Sequence, residues 1–132
     1  MLEIPQRILD AVVAQARDGA PFEVCGLLGG TGHRVATCYP MTNTDARGDH
    51  FAMDPAEQFA AARAMRAAGE ELLAVYHSHP ESPPFPSDED IRLAFTPKVH
   101  HLIVSLEGGI AATKAFRIAS ATVEPVEITV VG

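Results

Sequence analysis

Apolar positions along the chain fall into blocks of helical and of extended period. Between Pro5 and Arg17, the residues Ile8, Leu9, Val12, Val13 and Ala16 recur at the spacing of one helical face, with Pro5 suited to the first turn and Gly19 to the stop. Phe22 to Gly30 is an apolar run, Gly29-Gly30-Thr31-Gly32 has turn chemistry, and Arg34 to Tyr39 returns, so this region predicts a hairpin. Asn43 to Asp49 reads as a polar loop leading to a short extended piece at His50 to Met53. Asp54-Pro55-Ala56-Glu57 opens a helix: Asp54 caps, Pro55 takes the first helical position and Glu57 can complete a capping box. The alanine-rich helix runs to Ala68 and Gly69 ends it.

Leu72 to His79 predicts a central strand. Leu73 and Val75 share a face with the histidines while Leu72, Ala74 and Tyr76 fill the other, so both faces read as covered. Pro83, Pro84 and Pro86 make Glu81 to Pro86 a stiff surface loop, after which Ser87 to Ala94 predicts a short helix. Three strands close the pattern, at His100 to Leu106, Ala112 to Ile118 and Val123 to Val131. The last alternates apolar and polar residues, and Pro125 places it at an edge. The sum is an α/β fold with a mixed sheet flanked by helices, expected to be a single domain over residues 1–132.

Composition narrows the function. The chain has 132 residues, 47% hydrophobic and 20% charged, which suits a soluble globular protein. No apolar stretch approaches the roughly 20 residues of a membrane helix, and the first residues lack the pattern of a secretory signal, so no membrane partner is expected. A formal charge of −7 argues against a nucleic-acid surface. Two cysteines, Cys25 and Cys38, are too few for a disulfide framework. A Thr31-Gly32 hairpin turn would set them face to face; a turn displaced by one residue would not, leaving two small thiols of a reducing cytoplasm.

Candidate chemistry is concentrated in His77-Ser78-His79-Pro80, Ser87 and Asp90. On a strand, His77 and His79 point to the same side. Alone, a His-x-His pair is as well explained by surface or hydrogen-bonding roles. Ser87 and Asp90 are likewise explained by a helix N-terminus, with Ser87 capping. The two roles are compatible, because a first-turn carboxylate on a helix crossing the strand end can reach a metal held by the two imidazoles. Hydrolytic zinc sites commonly have three protein ligands and leave one position for water. Glu23, at the head of an apolar glycine-bearing strand, is an odd choice for packing, although read in isolation it is an exposed carboxylate.

These residues carry a resemblance. His77-x-His79, seven residues, Ser87, two residues and Asp90 resemble the signature of the JAMM (MPN+) metalloproteases, and Glu23 in Glu-x-Cys-Gly-Leu-Leu-Gly resembles their upstream glutamate. The likeness extends from about residue 3 to 118 and is nearest to small prokaryotic members that cut at the C-terminus of ubiquitin-like sulfur-carrier proteins. It implies a JAMM/cytidine-deaminase-like architecture, zinc on His77, His79 and Asp90, Glu23 as general base then acid, and Ser87 as donor to the oxyanion. It also implies a cytoplasmic zinc peptidase releasing an amino acid such as cysteine, or a short peptide, from a carrier ending in Gly-Gly, and permits a homodimer. Asn43 and Phe51 stand where relatives place substrate-groove residues, though loop and core duties explain them as well. The alternatives are a non-catalytic scaffold of the same fold, which should have lost Glu23 or a ligand, and a nucleobase deaminase, whose His-x-Glu and Pro-Cys-x-x-Cys are absent. His100 and His101 point to opposite faces of one strand and do not form a pair. Nothing marks Cys25 as a nucleophile.

Overall fold

The computed structural model describes residues 1–45, 51–94 and 96–132. Its elements are β1 (Leu2–Pro5), α1 (Gln6–Gly19), β2 (Cys25–Thr31), β3 (Arg34–Met41), α2 (Pro55–Ala68), β4 (Glu71–His79), α3 (Asp88–Arg92), β5 (His100–Ser105), β6 (Ala112–Ala119), β7 (Thr122–Val126) and β8 (Ile128–Val131). As the sequence predicts, the sheet is mixed and flanked by helices. Its order is β7-β6-β5-β4-β2-β3-β1-β8, with β4 parallel to β5, and β1 parallel to both β3 and β8.

The sheet is rolled. Laid flat, its eight strands would separate β7 from β8 by about 34 Å at the usual interstrand spacing. Only Glu127 joins these two edge strands, and the two peptide links across it reach about 7 Å. The sheet therefore curls around α1, whose Ile8, Leu9, Val12 and Ala16 pack with Leu28, Tyr76, Leu102, Val104 and Ala115 in the larger core. On the other face α2 contributes Ala61 and Met65 to a smaller cluster with Cys25, Leu27 and Met41.

Several expectations change. The extended run Val123 to Val131 is two strands at opposite ends of the sheet, broken at Glu127, whose carbonyl accepts the Leu2 N–H at 2.8 Å. The sequence reading places no strand before the first helix; β1 occupies Leu2–Pro5, and Pro5 precedes α1 instead of lying within it. The hairpin turns at Gly32-His33, between the paired Thr31 and Arg34, with Gly32 at positive φ (63°). That register and a bulge at Gly29/Gly30 set Cys25 opposite Met41 and Cys38 opposite Leu28, so both thiols are free. Glu57 does not close a capping box; Asp54 caps α2 on the Ala56 N–H, while the Glu57 carboxylate accepts the N–H and hydroxyl of Thr42. Of the loop and extended piece after Asn43, residues 46–50 lie outside the described residues.

A bulge also revises the central strand. Pairing between β2 and β4 slips between Leu28 and Gly29, from Leu28↔Ala74 to Gly29↔Leu72. Leu73 therefore joins Ala74 and Tyr76 in the core under α1, while Leu72 faces the α2 side with Val75 and His77. At the other end of β4 the packing is tight: a Cβ on Gly26 would sit 2.3 Å from the Tyr76 ring, so only glycine lets the two strands lie together there.

Candidate metal centre

β4 ends on His77 and His79, both nearly fully buried. The backbone then enters the proline loop, which is fastened at two successive carbonyls. The Ser105 hydroxyl donates to Ser82 C=O at 2.6 Å, and His79 Nδ1 lies 2.8 Å from Pro83 C=O. A carbonyl can only accept, so His79 carries a proton on Nδ1 and directs Nε2 inward, the ring orientation a metal requires. His77 stacks on Phe51, with centroids 4.8 Å apart and planes at 25°.

The loop delivers Asp90. Ser87 caps α3 by accepting the Asp90 N–H at 3.1 Å, and Asp90 Oδ2 accepts the Ser87 N–H at 2.9 Å, a closed capping box. The same Oδ2 stands 3.1 Å from His77 Nε2 and 3.2 Å from His79 Nε2, and the two imidazole nitrogens are 3.1 Å apart. Burial works against the charge on Asp90, but the imidazoles of His77 and His79 and the Ser87 N–H hold its carboxyl well below the usual carboxylate range. Burial also pushes the His79 imidazole down, but Asp90 and the Pro83 carbonyl outweigh it and raise the pKa above the ordinary histidine value.

This donor set fits a metal ion. Three ligand atoms converge with separations of 3.1 to 3.2 Å, and tetrahedral coordination at zinc bond lengths of about 2.0–2.1 Å requires roughly 3.3–3.4 Å between ligands. A contraction of a few tenths of an ångström would be relieved by an ion between them. Two imidazoles and one carboxylate are also the mixed N/O set of hydrolytic zinc sites. Cys25, which pairs with His77 across β2 and β4, is not part of it: burial, with the charges of Glu57 and Glu23, pushes it up to about 12, so it stays a thiol.

Glu23 lies just before β2 and is buried, at 6% exposure. It lines the same groove as His77 and Asp90, a cavity of about 1040 Å³, and its charge helps to raise His79. The groove continues from His77 along β4 over Val75 and Leu72, between α2 and the residues Glu89, Leu93, Ala94, Thr96 and Val99. Phe51 lines it as well. Asn43 does not: its amide donates to Glu23 C=O at 2.9 Å and accepts from the N–H groups of Asp45 and Ala52. The sequence reading assigns no part in the site to His101, yet it also lines the groove; burial and the nearby His77 lower its pKa, so it presents a neutral ring. Its position one strand over from Val75, in parallel register, is the signal that identifies it.

A rolled mixed sheet with this donor triad at the carboxyl end of its central strand defines a JAB-type domain. The chain belongs to the family described as prokaryotic homologs of the JAB domain, which it matches over residues 5–119. It is 36% identical over 107 residues to the CysO-cysteine peptidase of Mycobacterium tuberculosis, covering 80% of this chain and 73% of that one. It is 36% identical over 110 residues to the desampylase of Haloferax volcanii, covering 78% of this chain and 79% of the relative. A solution structure of a Desulfitobacterium hafniense protein superposes with a TM-score of 0.88 at 41% identity, covering 98% of this chain and 92% of that one. The resemblance drawn from the motif and the fold class it implies are both borne out.

Proposed function

We propose that this chain is a zinc-dependent peptidase that hydrolyses the bond after the C-terminal glycine of a ubiquitin-like sulfur-carrier protein, releasing an amino acid such as cysteine or a short peptide. One observation carries the reading: His77, His79 and Asp90 turn three ligand atoms to a common point in the groove that Glu23 also lines. His77 and His79 would hold zinc through Nε2 and Asp90 through a carboxylate oxygen. Zinc held there would supply a Lewis acid and lower the pKa of water from 15.7 to ~7. Glu23 takes the proton of the attacking water and returns it to the leaving amine. Ser87 spends a lone pair on the Asp90 N–H, which leaves its O–H to donate to the oxyanion.

The groove supports an extended substrate tail. From His77 to Leu72 its floor follows six residues of β4, a span of about 16 Å at strand rise, which matches a tail of about six residues. A Gly-Gly end brings no side chain against the groove lining at Phe51 and Asp90. The relatives named as a CysO-cysteine peptidase and a desampylase support a carrier-protein substrate. Two free thiols suit the reducing cytoplasm.

The test is to load the protein with zinc, supply a Gly-Gly carrier bearing one extra C-terminal residue, and weigh the products by mass spectrometry. The expected result is loss of that residue with wild type and none with Glu23→Gln, which still binds one zinc. An intact carrier would overturn the substrate class; cleavage by Glu23→Gln at the wild-type rate would overturn the assigned base.

A further inference from the structure

The middle residue of His77-Ser78-His79 has no part in the chemistry above, yet its side chain is fully buried. By strand alternation it points away from the two imidazoles. Cys25↔His77 is the last regular pair between β2 and β4. At the next rung, Ser78 N–H donates to Val24 C=O at 3.0 Å, as an antiparallel rung requires. The return bond is different. A hydrogen-bonded antiparallel pair exchanges two backbone bonds, but Val24 N–H donates to Ser78 Oγ, at 2.8 Å. The hydroxyl stands in for the carbonyl and the regular ladder stops one residue short of Val24. Glu23 is the residue immediately before this altered rung.

A second side chain holds the same segment from the other direction. Asn43 Nδ2 donates to Glu23 C=O at 2.9 Å, while its Oδ1 accepts the Ala52 N–H at 3.0 Å. Ala52 follows Phe51, whose ring lies on His77. Asn43 thereby ties the Glu23 backbone to the aromatic cover of an imidazole, and neither Asn43 nor Ser78 lines the groove.

We propose that Ser78 and Asn43 are positioning residues: together they clasp the Glu23–Val24 backbone and fix the carboxylate of Glu23 relative to the strand that carries His77 and His79. The proposal rests on the reading of Glu23 as the base. A base must meet its proton within hydrogen-bond reach, and a displacement of about 1 Å costs on the order of 100-fold in rate. The clasp is built from two side chains because Glu23 lies beyond the end of β2, where ladder bonds no longer hold it.

The experiment compares Ser78→Ala, Ser78→Thr, Asn43→Ala and Glu23→Gln in the zinc-loaded protein and, by amide hydrogen exchange, in the metal-free protein. Ser78→Ala and Asn43→Ala should each lower kcat by about 10- to 100-fold, with KM and zinc affinity within about threefold of wild type. Ser78→Thr keeps an oxygen for the Val24 N–H and should recover most of kcat. The Val24 amide should exchange about tenfold or more faster in Ser78→Ala and regain protection in Ser78→Thr. Wild-type kcat in both alanine variants, or a loss of zinc affinity as large as the loss of rate, would overturn the proposal. Should Ser78→Ala not fold, Asn43→Ala decides on the same readouts. An inactive Glu23→Gln beside fully active clasp variants sinks the clasp alone. An active Glu23→Gln sinks the base, and the proposal with it.

Discussion

The two helices that cover the sheet do so to very different depths. α1 buries Ile8, Leu9, Val12 and Ala16 in the larger core and closes its face. α2 has the same 14-residue length but buries only Ala61 and Met65, leaving Phe59 73% exposed beside the groove. With little apolar anchorage, α2 is held at its ends and flank by polar bonds: Asp54 at the N-terminus, Gly69 in the left-handed conformation at the C-terminus, and Thr42 on the Glu57 carboxylate. One face stabilises the domain; the other gives up burial to leave a surface over the candidate site. Apolar surface left open in this way marks a place where a ligand or partner sits.

If that division is right, damage to the two faces should separate cleanly. Asp90→Ala should weaken zinc binding by at least about 100-fold and abolish turnover, while the metal-free protein loses only about 1 kcal/mol through the opened capping box of α3, because Asp90 lies outside both cores. Equilibrium dialysis with calorimetry checks both numbers, and retained zinc affinity would remove Asp90 from the ligand set. Ile8→Ala should do the reverse. It should cost about 2–5 kcal/mol of stability in urea titration, by lost burial and a cavity, and leave zinc affinity unchanged. A loss of zinc with stability intact would show that the α1 face is not merely structural. Asp54→Ala should cost about 1 kcal/mol through the lost cap on Ala56, a measurable fraction of what fastens α2.

The legible parts of this architecture are those fixed by short-range rules. His77 and His79 share a face because strand parity is two, and Ser87 and Asp90 meet because a capping box has fixed spacing. The Asp54 cap and the Gly69 stop follow from the same local chemistry. What failed was whatever depended on a break in parity. The bulge opposite Leu28/Gly29 exchanged the faces of Leu72 and Leu73 and so hid the groove floor. The bulge at Gly29/Gly30 and the shifted turn moved Cys38 away from Cys25. β1 escaped because four residues ending in proline resemble a helix start. Glu127 looked like one more polar position in an alternating strand, whereas it is where the chain passes from one edge of the rolled sheet to the other. Ser78 had no motif role to betray it; its function appears only once Val24 is seen beside it.

The smallest expected effect sharpens the comparison most. Phe59 lines the groove from α2 and is 73% exposed, so it is not one of the buried core residues. Phe59→Ala should therefore change unfolding free energy by less than about 0.5 kcal/mol, as exposed substitutions do. If a carrier protein lies along the groove, the loss of that ring should raise KM several-fold with kcat unchanged, because the contact is made equally in the ground and transition states. Steady-state kinetics on the extended carrier, set beside cleavage of a short Gly-Gly peptide too small to reach α2, separates the two terms. A KM increase confined to the carrier means that α2 is left open to meet the body of the substrate. An equal increase for the peptide would confine the ring's contact to the tail. No increase for either would mean that the exposed face of α2 serves something other than this substrate, and the functional contrast between the two helices would fail.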